Sequence, residues 1–213
     1  MLSRLYRANR GLLQQKLGLM EALVTRFGVA KAKDIYQTAC PIVGASMGQH
    51  IRHSMDHIER AIYAISHFKE QQQQQQEEHV KIRYDVRERG GADEHDLMAA
   101  QERIQRVSQM LENITHSQSY IPVLDHRVDA VFMLSGDDDD TEMPLPSTAA
   151  RELGFACHHG IHHMAMVKII ALQTAQLPAS DLPLSFGKAP STQNFERTQK
   201  KGQEEEATVV DSS

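Results

Sequence analysis

The chain has little of what marks several protein classes. Its 213 residues include no tryptophan and two cysteines, which excludes the disulfide framework of a small secreted domain. No run approaches the roughly 20 apolar residues that a membrane-spanning helix needs. The formal net charge of -5 comes without the clustered basic face that binds nucleic-acid phosphates. We therefore expect a cytoplasmic protein with neither a nucleic-acid nor a membrane partner.

The N-terminal segment is basic before its first acid, Glu21. It contains Arg4, Arg7, Arg10 and Lys16, a composition also found in transit peptides. Apolar residues nevertheless recur at near-helical spacing through this segment and past Glu21. They are Leu5, Leu12, Leu13, Leu17, Met20, Leu23, Val24 and Phe27. This continuity favours a first helix, with a transit peptide as the alternative.

Four long helical segments are predicted, at about residues 3–27, 46–68, 93–116 and 147–174. The second begins with Ser46 and Gln49 at the spacing of a capping box, in which each side chain bonds the backbone N–H of the other residue. Before the fourth, the β-branched run YIPVLDHRVDAVFML is compatible with a short hairpin. The pattern predicts an all-α four-helix bundle with irregular connections, in a domain spanning residues 1–187.

Two segments are too polar to bury a face. The glutamine tract EQQQQQQEE after the second helix is interpreted as a solvated helix end or a loop. The C-terminal residues 188–213, which include ERTQKKGQEEEATVVDSS, are charged and poor in aromatic residues. We predict that residues 188–213 form a disordered tail.

Two histidine clusters lie on the second and fourth predicted helices, in GQHIRHSMDH (residues 48–57) and HHGIHH (residues 158–163). On a helical wheel, the histidines of the second helix flank its apolar stripe; they are His50, His53 and His57. Two pairs on the fourth helix are spaced i, i+4, namely His158 with His162 and His159 with His163. Such a pair can offer two imidazoles to one ion.

Imidazole suits divalent metals such as zinc, nickel and iron, and three histidine ligands leave one coordination position open for water or substrate. Against this, a histidine on a helix flank is usually an ordinary hydrogen-bonded residue, and a histidine-rich chain produces some i, i+4 pairs by chance. Spacing alone therefore leaves open whether a metal binds and which histidines bind it. Cys157, beside the second cluster, is interpreted as core packing rather than as a nucleophile.

Two motifs resemble those of the DinB-like superfamily of metal-binding four-helix bundles. SMGQHIRH is similar to the segment that ends at the superfamily's second-helix ligand, and HGIHH is similar to its H-x3-H segment. YDVRERGG and FGKAPST resemble segments of a less characterised subgroup, and the likeness covers about residues 3–185. The resemblance implies the metal ligands His53, His159 and His163, with His50 as a substitute for His53.

The same resemblance implies thiol-dependent transferases, isomerases and hydrolase-like proteins. We expect a divalent metal (zinc, nickel or iron) that activates water or a thiol, and a small-molecule substrate. Independently of the resemblance, Tyr84, Asp85, Arg87 and Arg89 form a dense polar set. Asp85 and Arg87 are the candidate catalytic residues, the first as a base or as a partner of a ligand imidazole and the second for an anionic substrate. The alternative for this set is a capped and salt-bridged connector. Met164 and Ala165 stand where many members have Arg-Gly. The alternative is a non-catalytic bundle with structural histidines that acts through homodimerisation.

Overall fold

The structure is a computed structural model that describes residues 2–73, 80–86, 89–116, 122–136 and 142–210. The helices within these residues are α1 (Leu2–Phe27), α2 (Val29–Gln37), α3 (Met47–Gln73), α4 (Ala92–His95), α5 (Leu97–His116), α6 (Ala149–Gln173) and α7 (Pro190–Val210). The strands are β1 (Val80–Arg83), β2 (Arg127–Phe132) and β3 (Met143–Thr148). The fold is mostly helical, and none of the described helices is both long and apolar enough to cross a membrane.

The four predicted long helices are confirmed as α1, α3, α6 and the pair α4 and α5. The capping box at the start of α3 is also confirmed, because the Gln49 N–H donates to Ser46 Oγ at 3.1 Å and the Ser46 N–H donates to Gln49 Oε1 at 2.9 Å. The third predicted helix is interrupted at Asp96, whose Oδ1 accepts from the Met98 N–H at 2.8 Å. Asp96 therefore caps a new helix, α5, instead of continuing α4.

The long helices form a ring of contacts, α1 with α5, α5 with α3, α3 with α6, and α6 with α1. Their apolar faces share one buried core. Gly160 on α6 allows α1 to approach closely, since a Cβ there would lie 2.4 Å from Leu12 Cδ2. The contact between α3 and α6 matters most for the site, because these two helices carry the two histidine clusters.

The prediction of an all-α fold is wrong in one respect, because three strands form a sheet in the order β1-β2-β3. Strand β2 lies within the β-branched run that suggested a hairpin, but its antiparallel partner β3, with Phe132 opposite Met143, lies after that run. Strand β1 was not predicted, and it lies parallel to β2 with Val80 opposite Val128. Four residues carry too little periodicity to identify a strand whose partner lies far along the chain.

The C-terminal segment, for which disorder remains a prediction, contains a helix. Helix α7 spans Pro190–Val210, and proline is favoured at the first position of a helix because its missing N–H is not needed there. Lys188 Nζ contacts both carboxylate oxygens of Glu196 at 2.8 Å. Glutamate, glutamine and lysine are good helix formers, so a polar composition without a buried face is compatible with an exposed helix. The domain boundary at residue 187 remains a prediction.

Buried ion pairs hold α4 and α5 against α3. Arg103 on α5 contacts Asp56 at 2.7 Å and Asp93 at 2.6 Å. Arg52 on α3 contacts Asp56 at 2.8 Å and Glu94 at 2.7 Å. Each charge of this network therefore has an opposite charge beside it, which offsets the cost of removing it from water. This network fixes the end of α3 from which the histidines project.

Candidate metal centre

Helices α3 and α6 bring five histidine rings together. His50, His53 and His57 come from α3, and His159 and His163 come from α6. Residues spaced by three, four or seven positions lie on one side of a helix. The contact between the two helices then places the two sets face to face.

The three ligands expected from the sequence, His53, His159 and His163, lie next to one another. His159 Nε2 is 3.2 Å from His53 Nε2 and 3.0 Å from His163 Nε2. Three nitrogens bound to one zinc ion at about 2.0–2.1 Å would be roughly 3.3 Å apart in tetrahedral geometry. The two distances are near this separation.

His57 joins the same cluster, although the sequence motifs did not single it out. The ligand atoms of His53, His57 and His159 all lie within 4.8 Å of one another, and His57 is 4 % exposed. This three-histidine group could hold a divalent metal. The available signal was the spacing of His53 and His57, which are i, i+4 like the pair on α6.

His50, the substitute candidate for His53, lies on the far side of His163. Its Nδ1 is 2.8 Å from His163 Nδ1, while His163 Nε2 faces His159. Histidines that bind a metal through one nitrogen usually hydrogen-bond through the other, which fixes the ring. His50 is thus placed to orient His163 through the second ring nitrogen of His163.

The environment of His50 and His163 favours the uncharged form of both imidazoles at neutral pH. Burial lowers the pKa of His163 to about 2, with further contributions from the neighbouring His159, His53, His50 and His162. Burial also lowers the pKa of His50. A neutral imidazole has the lone pair that a metal needs, so the rings are in the protonation state for binding.

The second i, i+4 pair of α6 does not face α3. His158 and His162 are both exposed, whereas His159 and His163 are partly buried. Adjacent residues of a helix point in different directions, so only one of the two pairs can face α3. The packing of α6 against α3 turns His159 and His163 toward α3. The structure therefore separates the two pairs that spacing alone left equivalent.

An aromatic wall backs the histidine cluster. The Tyr84 ring stacks on His57 with centroids 4.6 Å apart, and the Phe155 ring stacks on His159 at 5.7 Å. Tyr84 OH donates to the fully buried Glu152 Oε2 at 2.9 Å. Burial and the Glu152 carboxylate raise the pKa of the Tyr84 hydroxyl, so it stays a hydrogen-bond donor. Tyr84 belongs to the polar set in YDVRERGG, whereas no sequence pattern pointed to Glu152.

Of the two candidate catalytic residues, the structure describes Asp85. Asp85 Oδ2 accepts a hydrogen bond from the Met133 N–H at 2.8 Å, which ties the end of β1 to the end of β2. Arg87 lies outside the described residues. Within YDVRERGG, the ring of Tyr84 contacts the histidine cluster.

A cavity of about 410 Å³ reaches the cluster from the side of His50, His53 and His163. Arg89 and Glu94 also line it. Small-molecule sites are typically cavities of this size with a few polar groups. The histidines on this side are therefore accessible to a small ligand.

Comparison with known proteins gives a partial match. No protein-family model matches the chain, and no solved structure matches it. The chain is 32 % identical over 112 residues to FK506-binding protein 5 of Rhizopus delemar, a match that covers 52 % of this chain and 26 % of that protein. The chain spans about a quarter of the length of this relative.

Proposed function

We propose that the protein is a metal-dependent enzyme of the DinB-like type, in which α1, α3, α5 and α6 are the four helices of the bundle. The two histidine motifs and the ring of contacts among these helices support the assignment. A divalent zinc, nickel or iron ion in the cluster would supply a Lewis acid that activates water or a thiol. The reaction is transferase-like or hydrolase-like.

The proposed ligands are His53, His159 and His163. His53 and His159 belong to both of the possible three-histidine sets. His163 is preferred over His57 as the third ligand because its Nε2 lies 3.0 Å from His159 Nε2 and its Nδ1 lies 2.8 Å from His50. His57 instead stacks on Tyr84 on the closed side of the cluster.

The observation that carries the proposal is the cavity that reaches His53 and His163. A structural metal site is closed by protein ligands, whereas a catalytic site keeps an open position for water or substrate. The three proposed ligands leave such a position, and the cavity supplies the access.

The test compares His159→Ala with His158→Ala, its exposed neighbour on α6. Both proteins are purified without a histidine tag and assayed for metal content, melting temperature and turnover of thiol and hydrolysable substrates. We expect His159→Ala to lose metal and activity while the helical fold survives, and His158→Ala to keep both. Full metal retention by His159→Ala would refute the ligand assignment. Metal loss with unchanged turnover would refute the proposal that the activity depends on the metal.

The third ligand is tested in the same way with His163→Ala and His57→Ala. We expect His163→Ala to lose the metal and His57→Ala to retain it. The non-catalytic alternative predicts a different pattern, because the metal would then only stabilise the fold. Every variant that loses the metal should have a lower melting temperature, and neither the wild type nor the variants should show turnover.

A further inference from the structure

We infer that the cavity beside the histidine cluster binds a compact anionic ligand, with one end at His53 and His163 and a carboxylate-like end at Arg89. This inference rests on the proposed function and names the class of molecule that the site would accept. The cavity is about 410 Å³ and is lined by both the histidines and Arg89, so one small ligand can contact both ends.

The charges around the cavity support an anionic ligand. Three charged side chains line it: Arg52, Arg89 and Glu94. Arg52 is already paired, at 2.7 Å from Glu94 and 2.8 Å from Asp56. Among the described residues no carboxylate forms an ion pair with Arg89, which is exposed at the mouth of the cavity. The lining therefore carries one positive charge without a protein counter-charge.

The rest of the lining does not compete with Arg89 for an anion. Arg52, the other arginine of the lining, is buried and paired with both Asp56 and Glu94. A guanidinium binds a carboxylate through two parallel hydrogen bonds, a stronger and more directional contact than a lysine would give. Arg89 is thus the residue that would select the ligand by charge.

The probes are two hydroxamates, whose paired oxygens chelate zinc. One carries a propionate tail ending in a carboxylate, and the other has the same tail ending in a carboxamide. Their affinities for zinc-loaded full-length protein are measured by calorimetry. We expect the carboxylate probe to bind about tenfold more tightly than the amide probe. In Arg89→Gln the two affinities should become equal, with the amide affinity and the zinc content unchanged.

Arg106→Gln is the matched control. It removes the same charge from an exposed arginine that contacts Glu59 and does not line this cavity, so the tenfold preference should remain. Equal affinities in the zinc-loaded wild type, or a preference that survives in Arg89→Gln, would overturn the ligand class and leave the metal site intact. Failure of the wild type to hold zinc would overturn the proposed function and this inference together.

Discussion

Replacing Lys16 by methionine should stabilise the protein at neutral pH. Lys16 on α1 is fully buried, and its Nζ donates to Ser54 Oγ. Burial, with a smaller effect of Arg103, lowers its pKa from 10.5 to about 7. Methionine has a similar length and no charge to bury. Ser54 Oγ keeps its own hydrogen bond to the Ile51 carbonyl oxygen at 2.8 Å, so the substitution leaves no new unpaired donor.

The expected gain follows from the two pKa values. The unfolded chain holds the lysine proton up to about pH 10.5 and the folded protein only up to about pH 7, so wild-type stability rises with pH between these values. At about 1.4 kcal/mol per pH unit, burial of Lys16 costs about 4 kcal/mol at pH 7 and about 2 kcal/mol at pH 9. Loss of the hydrogen bond to Ser54 offsets about 1 kcal/mol. Lys16→Met should therefore gain about 3 kcal/mol at pH 7 and about 1 kcal/mol at pH 9.

The assay is urea unfolding of the wild type and Lys16→Met at pH 7 and pH 9, with a chelator present so that metal binding does not contribute. Lys33→Met is the control, because Lys33 is 49 % exposed in its contact with Asp96 and should give a small difference without pH dependence. Staying at pH 9 or below avoids ionisation of Cys157, whose pKa burial raises to about 11. A gap between wild type and variant that is the same at both pH values would refute the reasoning.

Three further predictions concern the site and its support. His50→Ala should weaken zinc binding by about 10–100-fold, whereas His50→Gln should keep most of the zinc affinity because its side chain can still accept a hydrogen bond from His163. Zinc affinity is measured by competition with a chelator, and an equal loss of affinity in both variants would indicate that His50 is itself a ligand. Gly48→Ala should lower the free energy of unfolding by about 1–3 kcal/mol, since a Cβ there would lie 2.1 Å from the Glu94 carbonyl oxygen. Gly18→Ala, which has no atom within 4 Å of its Cβ, should instead stabilise the protein by about 0.5–1 kcal/mol. Similar effects of the two substitutions would contradict the close approach of Gly48 to the Glu94 carbonyl oxygen. Without metal, the unfolding midpoint should fall as pH drops from 7 to 5, because unfolded His163 binds a proton that the folded ring refuses; an unchanged midpoint would count against the buried neutral cluster.

Local features of the chain were predictable because they depend on nearby residues. The 3.6-residue spacing of apolar side chains identified the long helices, and Ser46 and Gln49 marked the start of α3. The i, i+4 spacing of His159 and His163 predicted that one helix could present two imidazoles on one side. The expectation that His53 lies beside that pair came from the resemblance of its motif, and the geometry places the three rings together.

The tertiary structure decided which histidines meet and what surrounds them. The rotation of α6 about its axis turns His159 and His163 toward α3 and leaves His158 and His162 exposed, and the rotation of α3 brings His57 into the cluster. Neither rotation is set by local spacing, since both depend on how two helix surfaces pack. Tyr84 reaches the cluster because β1 pairs with a strand far along the chain. The sequence therefore determined the helices and their candidate ligands, and nonlocal packing determined the site that those ligands form.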